Sequence, residues 1–236
     1  MSTFQFKQFN IEQDKTAMKV GTDGVLLGAW APLDNNPYSI LDIGTGTGLI
    51  ALMLAQRSHA EQIDALEIDD DAYEQAVDNF ENSPWGDRLF CYHAGLDEFM
   101  EEPEDEYDLI VSNPPFYTED YTSGNEQRDT ARFTASLPFE DLAEAAGLLL
   151  SEKGVFCVVL PHKEEDRFTA LMKEENLFPF KITRVKGTPI TEVKRSLMAF
   201  SYIESKIEVD ELIIETARHE YTPEHIALTK DFYLKM

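Results

Sequence analysis

A chain of 236 residues that is 43% apolar can bury one substantial core, and a single domain spanning residues 1–236 is expected. Its 20 Lys and Arg against 45 Asp and Glu leave a net charge of −25, the reverse of a nucleic-acid binder's usual footprint. No run approaches the roughly 18 apolar residues of a membrane span, and the start MSTFQFKQFN lacks a signal peptide's basic and then apolar pattern, so the chain reads as cytoplasmic, with no membrane contact.

Residues 1–36 form a lead-in whose segment Met18-Lys19-Val20-Gly21-Thr22-Asp23-Gly24 opens a short apolar helix over 25–30, with Thr22 or Asp23 as its cap. Apolar runs and helix-period segments then alternate through a core over 37–207. Strands are predicted at 39–44, 62–68, 88–93, 107–113 and 155–160, and helices at 49–57, 70–82, 138–150 and 163–175. Two β-rich runs, 178–186 and 196–207, follow with no helix-length spacer, so they should pair antiparallel at the sheet edge. The order implies an α/β fold, doubly wound, with right-handed crossovers. In the C-terminal extension, 208–236, Tyr221-Thr222-Pro223-Glu224 opens a capped helix that packs aromatics on the body.

Cys91 and Cys157 sit in apolar runs and read as small buried hydrophobes without a disulfide. None of the five histidines pairs with Cys or another His at metal-ligand spacing, so no metal is expected. Residues 97–108 hold eight acids and no base, and read as a solvated connection. Residues 181–195 hold five bases, Lys181, Arg184, Lys186, Lys194 and Arg195, and one acid; this is either a solvated face or a contact for a polyanion.

Leu41-Asp42-Ile43-Gly44-Thr45-Gly46-Thr47-Gly48 follows the first core strand and opens a helix, the place where open α/β sheets bind nucleotides. A dinucleotide fingerprint would need glycine at 49, which is Leu49; the pattern here is D-x-G-x-G-x-G. Such a loop suits a ligand with an amino-acid end: Asp42 can face an ammonium, and backbone N–H groups around Gly44, Gly46 and Gly48 can hold a carboxylate. Glu67, ending the second strand, can accept both hydroxyls of a ribose. Loop and acid together resemble the S-adenosylmethionine site of Rossmann-like methyltransferases, whose seven-stranded, mostly parallel sheet ends in an antiparallel strand and carries helices on both faces. Where those enzymes commonly place an acid for the adenine amino group, this chain has Gly95, leaving backbone or Asp97 for the task.

Ser112-Asn113-Pro114-Pro115-Phe116-Tyr117 closes the fourth strand beside the switch point. The two prolines hold Asn113 and Pro114 extended, a rigid turn. An exocyclic amino or amide nitrogen is a poor nucleophile because its lone pair is delocalised. The Asn113 side-chain oxygen and the Pro114 carbonyl can each accept one of its N–H bonds, and this counts most as positive charge develops on nitrogen. Phe116 or Tyr117 offers a ring for a flipped base.

Asn-Pro-Pro-aromatic is shared by adenine-N6, guanine-N2 and glutamine-N5 methyltransferases, so it names the acceptor group and not the substrate. Phe4-Gln5-Phe6-Lys7-Gln8-Phe9, residues 18–30, Ser112 to Tyr117, and Gln127-Arg128-Asp129-Thr130-Ala131-Arg132-Phe133-Thr134 together resemble the bacterial tRNA(Val) adenosine-37 N6-methyltransferase family. That resemblance implies S-adenosylmethionine as cofactor, with Asn113 adjoining it and Lys19, Thr22 and Asp23 shaping its entrance. It implies a tRNA, tRNA(Val), as partner, with adenosine 37 in an unpaired anticodon loop as acceptor. Arg128 and Arg132, in a long polar loop beside the site, would meet RNA phosphates or pair with neighbouring acids. A monomer is expected. The other readings are a guanine-N2 rRNA or glutamine-N5 protein methyltransferase with the same site, and a binding protein without turnover.

Overall fold

The computed structural model describes residues 3–16, 18–101, 106–115 and 137–235. Its centre is a sheet of eight strands among the described residues. In chain order these are β3 (Ser39–Ile43), β4 (Gln62–Glu67), β5 (Leu89–His93), β6 (Tyr107–Ser112), β7 (Leu150–Pro161), β8 (Phe178–Lys186), β9 (Arg195–Ser201) and β10 (Glu208–Ile213). The spatial order is β10-β8-β9-β7-β6-β3-β4-β5, and β9 alone runs antiparallel to its neighbours.

All seven expected core strands are present, and the sheet is extended beyond them. The β9 strand ends at Ser201, short of 207, and the chain returns as β10, parallel to the outer side of β8. Part of the expected C-terminal extension is therefore sheet. The β7 strand starts earlier than the expected 155: Leu150 already pairs with Tyr107, and a bulge follows in which five residues of β7 span two of β6.

Apolar runs such as Ser39–Ile43, buried at every position, place β3 in the middle of the sheet. Helices α1 (Thr22–Trp30) and α2 (Leu49–Arg57) pack on each other and share a core with Phe80 of α3 (Asp70–Glu81). The second core contains Leu96 of α4 (Leu96–Glu101), the buried residues of α5 (Phe139–Leu149), and Phe168 and Met172 of α6 (Glu165–Glu174). There Phe168 lies between Phe156 and Phe200, with ring centroids 6.0 and 5.8 Å away. Truncating a ring so enclosed costs about 3–5 kcal/mol.

The chain termini are tied together. A short hairpin, β1 (Thr3–Gln5) and β2 (Asn10–Glu12), precedes α1, and Phe6 bridges to Tyr233 while Lys7 N–H donates to Phe232 O at 2.8 Å. The tail forms β11 (Glu215–Ala217), β12 (Glu220–Tyr221) and α7 (Pro223–Thr229), whose N-terminus is capped by the Thr222 hydroxyl, and Phe232 is buried.

Two local expectations change. Neither Thr22 nor Asp23 caps α1: Gly21 is the N-cap and no side chain bonds there, because the Asp23 carboxylate accepts from Arg195 Nε at 2.8 Å. Cys157 is buried but Cys91 only half so; both are free thiols, and burial pushes both up, Cys91 to about 12.

Candidate active site

The strand order reverses between β3 and β6, and the chain leaves both at the same edge of the sheet. Ser112 Oγ donates to Ile43 O at 2.9 Å, which ties the end of β6 to the end of β3. The residues that follow, Asn113 on one strand and Gly44 on the other, thus emerge side by side. This is where open α/β sheets form a crevice.

The loop from Gly44 to Gly48 is built by left-handed glycines, with φ of 72°, 60° and 79° at Gly44, Gly46 and Gly48. A side chain in that region costs about 1–2 kcal/mol per residue. A Cβ on Gly44 or Gly46 would meet nothing within 4 Å, whereas one on Gly48 would lie 2.4 Å from the Phe80 ring. The first two glycines therefore border open space and the third packs α2 against α3. Gly44 and Thr45 N–H groups donate to Leu66 O at 3.0 and 2.9 Å, fastening the loop to β4.

Asp42 lies beneath this loop with no exposed surface. Its Oδ2 accepts from Thr45 Oγ1 at 2.6 Å and from Ala51 N–H at 3.2 Å, while Oδ1 is buried with no hydrogen-bond partner among the described residues. Burial pushes its carboxyl up to about 7 despite those two donors. Oδ1 is thus an unused acceptor, closed off from solvent.

Glu67, at the end of β4, gathers three N–H donors: Gly46 at 2.8 Å on Oε2, and Ile68 and Asp69 at 2.9 Å on Oε1. Burial pushes this carboxyl up too, opposed by those hydrogen bonds. Asp69 caps α3 by accepting from Ala72 N–H at 2.9 Å, so the turn that follows Glu67 is fixed.

Gly95 and Asp97 sit opposite. A Cβ on Gly95 would fall 2.5 Å from Asp97 Oδ1 and 3.5 Å from Ile68 Cδ1, so the three form one wall, with Asp97 exposed at the start of α4. Ile68, missed by sequence reasoning, is 50% exposed beside the buried Glu67. An apolar residue between Glu67 and Asp69 in an acidic turn was the available signal.

On the other side of the loop, Gly24 of α1 touches both partners: a Cβ there would lie 3.1 Å from Leu49 and 3.9 Å from Asn113 Nδ2. Asn113 is half-buried and Pro114 buried. Asp23 is held by Arg195, whereas Lys19 and Thr22 are exposed on the approach to α1. Buried polar side chains fasten the N-terminal segment here: Asn79 Nδ2 donates to Thr47 O and Glu12 O at 2.9 and 3.0 Å, and Gln75 Oε1 accepts from Asp14 and Lys15 N–H at 3.1 and 3.0 Å. Phe116, Tyr117, Arg128 and Arg132 lie outside the described residues.

The basic run is largely neutralised. Arg184 pairs with Glu165 at 2.7 Å, Lys186 with Glu211 at 2.7 Å, and Lys181 lies over the Trp30 ring at 4.9 Å. Among the described residues no group of His, Cys, Asp or Glu is placed to hold a metal, and no helix is long and apolar enough to cross a membrane.

The glycine cradle, the unpartnered Asp42 oxygen and the Ile68 wall fit a ligand with an amino-acid end, a ribose and a flat base. Comparison with known proteins agrees with that geometry. The methyltransferase small domain family matches residues 25–175. The tRNA1(Val) (adenine(37)-N6)-methyltransferase of Flavobacterium johnsoniae is 74% identical over 234 residues, covering 99% of this chain and 100% of that one. Its counterpart in Christiangramia forsetii is 61% identical over 235 residues, covering 99% and 98%. A crystal structure of a predicted O-methyltransferase from Agrobacterium tumefaciens superposes with a TM-score of 0.68 at 19% identity, covering 89% of this chain and 96% of that one, which is a likeness of fold.

Proposed function

The chain belongs to the tRNA1(Val) (adenine(37)-N6)-methyltransferase family, and from that premise we propose that it methylates the exocyclic N6 of adenosine 37 in the anticodon loop of tRNA(Val), using S-adenosylmethionine. The observation that carries this reading is the tie between Ser112 and Ile43, which sets the Asn-Pro-Pro turn beside the glycine loop. Acceptor and donor sites so placed can meet without a large movement.

S-adenosylmethionine supplies, when bound, a methyl group on a sulfonium, an electrophile whose leaving group is a neutral thioether. Gly44 and Gly46, bordering open space, would give its amino-acid end room against the backbone, and Glu67, tied to the same loop through Gly46, would accept from the ribose. Ile68, Gly95 and Asp97, which lie together, would hold the adenine. Asp42 sets the loop through Thr45 and Ala51 and biases the site towards a cation. Lys19, Thr22 and Asp23 border the entrance, Asp23 fixed by Arg195.

The chain's work on the acceptor is done by Asn113 and Pro114. The Asn113 side-chain oxygen and the Pro114 carbonyl accept the two amino protons of adenine and draw its nitrogen out of conjugation. Both acceptors strengthen as that nitrogen becomes cationic, so they favour the transition state over the bound substrate. No strong base is required, because the extra proton passes to water after transfer. Phe116 and Tyr117 are assigned the stacking of the flipped base, and Arg128 and Arg132 the RNA phosphates. The sheet that runs from Ser39 to Ile213 supports a single methyltransferase domain over residues 1–236.

Labelled S-adenosylmethionine offered together with tRNA, ribosomal RNA and a glutamine peptide tests the acceptor class. Label in tRNA alone is expected; label in either other acceptor instead overturns the substrate while keeping the site.

A further inference from the structure

The basic run 181–195 contains one feature that the site has not absorbed. Residues 187–194 form the turn between β8 and β9, at the same sheet edge as Asn113. The turn is preformed: Thr191 N–H and Oγ1 donate to Thr188 O at 3.1 and 2.9 Å, and Thr188 N–H donates back to Thr191 Oγ1 at 3.0 Å. Its ends are pinned as well, Lys194 N–H to Val185 O and Glu215 N–H to Gly187 O, each at 3.0 Å.

At its tip, after Pro189, stands Ile190 with 96% of its surface exposed. A single exposed apolar residue is ordinary; its position here is not. Lys194 is exposed, and among the described residues its ammonium meets no carboxylate, while Arg184, Lys186 and Arg195 around it are each paired with an acid. In a chain of net charge −25 this leaves an apolar tip and a usable cation together near the site. Glu192 is the one acid of the turn.

The turn is joined to the site by direct contacts. Arg195, next to Lys194, clasps Asp23, and the following Gly24 lies against the Asn113 amide. In the sheet, β8 and β9 are separated from β6 by β7, so the turn stands two to three strand spacings from Asn113, about 10–15 Å.

We propose that the β8–β9 turn is an RNA-binding ridge, on which Ile190 packs against an unpaired nucleotide neighbouring the acceptor adenosine and Lys194 holds an adjacent phosphate. An apolar wedge beside a cation suits a splayed single strand, whose bases offer flat apolar faces and whose backbone offers charge. The ridge keeps the loop open while one base is held at Asn113, which lowers the work of flipping it. This rests on the tRNA reading above.

The test uses full-length protein and an unmodified tRNA(Val) transcript, with initial rates over a range of tRNA and salt concentrations. Ile190→Ser should raise the KM for tRNA about ten-fold, with kcat at saturating tRNA and calorimetric affinity for S-adenosylmethionine retained. Ile190→Leu should restore KM to within about two-fold of wild type. Lys194→Ala should lower the slope of log affinity against log salt by about one. Both side chains are exposed, so the variants fold. Wild-type KM and salt slope in a protein carrying both Ile190→Ser and Lys194→Ala, while the wild type methylates tRNA, would overturn the ridge alone. No methylation of tRNA by the wild type would overturn the ridge and the tRNA reading together.

Discussion

The backbone N–H of Gly46 donates to Oε2 of Glu67 at 2.8 Å, so the glycine loop and the acid ending β4 form one unit. With Ile68 and Asp69 N–H on Oε1, Glu67 also orders the turn before α3, and the proposed site gives it the ribose as a further donor. Glu67→Ala should weaken S-adenosylmethionine binding by at least ten-fold by calorimetry. Glu67→Gln, which puts an amide N–H₂ among backbone donors, should also lose affinity and should lower Tm. Wild-type affinity in both variants would remove Glu67 from the site.

Asp42 carries a pH signature. Its carboxyl stands at about 7 in the fold against an ordinary 3.8, raised by burial. A raised acid contributes stability that is fully present below 3.8, declines as pH rises, and is gone once pH passes through about 7. Asp42→Asn removes this titration. Denaturation of ligand-free protein at pH 5.5 and pH 8 should show wild type losing about 2 kcal/mol relative to the variant over that interval. An unchanged gap would mean that Asp42 does not titrate there.

The glycines separate by role. Gly48→Ala combines a φ of 79° with a Cβ 2.4 Å from Phe80, and should destabilise the fold by about 3 kcal/mol in denaturant. Gly44→Ala has the same strain at φ 72° but faces open space, so its stability cost is about 1–2 kcal/mol. Its larger effect should be on cofactor affinity, because the added methyl fills the cradle. If calorimetry found Gly44→Ala binding normally, the ligand would have to lie elsewhere.

The clasp between Asp23 and Arg195 joins elements 172 residues apart. Both side chains are about one-third exposed, so Arg195→Ala should cost about 1 kcal/mol or less in stability. It should lower kcat for tRNA methylation more than that change suggests, because Gly24, in the first turn of α1 next to Asp23, lies beside Asn113. Arg195→Lys, which keeps the charge, should recover part of the rate. Equal activity in all three proteins would make the clasp purely peripheral.

Much of this architecture could be read from local pattern. The strands at Ser39–Ile43 and Tyr107–Ser112 are apolar runs that end at Gly44 and at Asn113-Pro114, so the glycine loop and the Asn-Pro-Pro turn follow them directly, while Gln62–Glu67 ends in an acidic turn. What escaped depends on distant partners. The β10 segment EVDELI buries only Leu212 and is a strand because β8 offers it an open edge. Asp23 would read as a helix cap until Arg195, far along the chain, takes its carboxylate. Asp42 and Glu67 stand out in the sequence as candidate ligand acids. That both also hold their own loop, Asp42 through Thr45 and Ala51 and Glu67 through Gly46, is visible only once the loop is folded. Ile68 gains meaning from Gly95, which follows the adjacent strand β5.

The central claim is that Asn113 presents N6 of adenosine 37 for methylation. Its most direct test is methyl transfer to an unmodified tRNA(Val) transcript, read by nuclease digestion and mass spectrometry, beside a transcript carrying guanosine at position 37. N6-methyladenosine in the anticodon-loop fragment is expected, absent with the guanosine transcript and reduced at least 100-fold by Asn113→Ala while cofactor binding persists. Methylation that ignores the change at position 37, or that survives Asn113→Ala at the wild-type rate, would contradict the account.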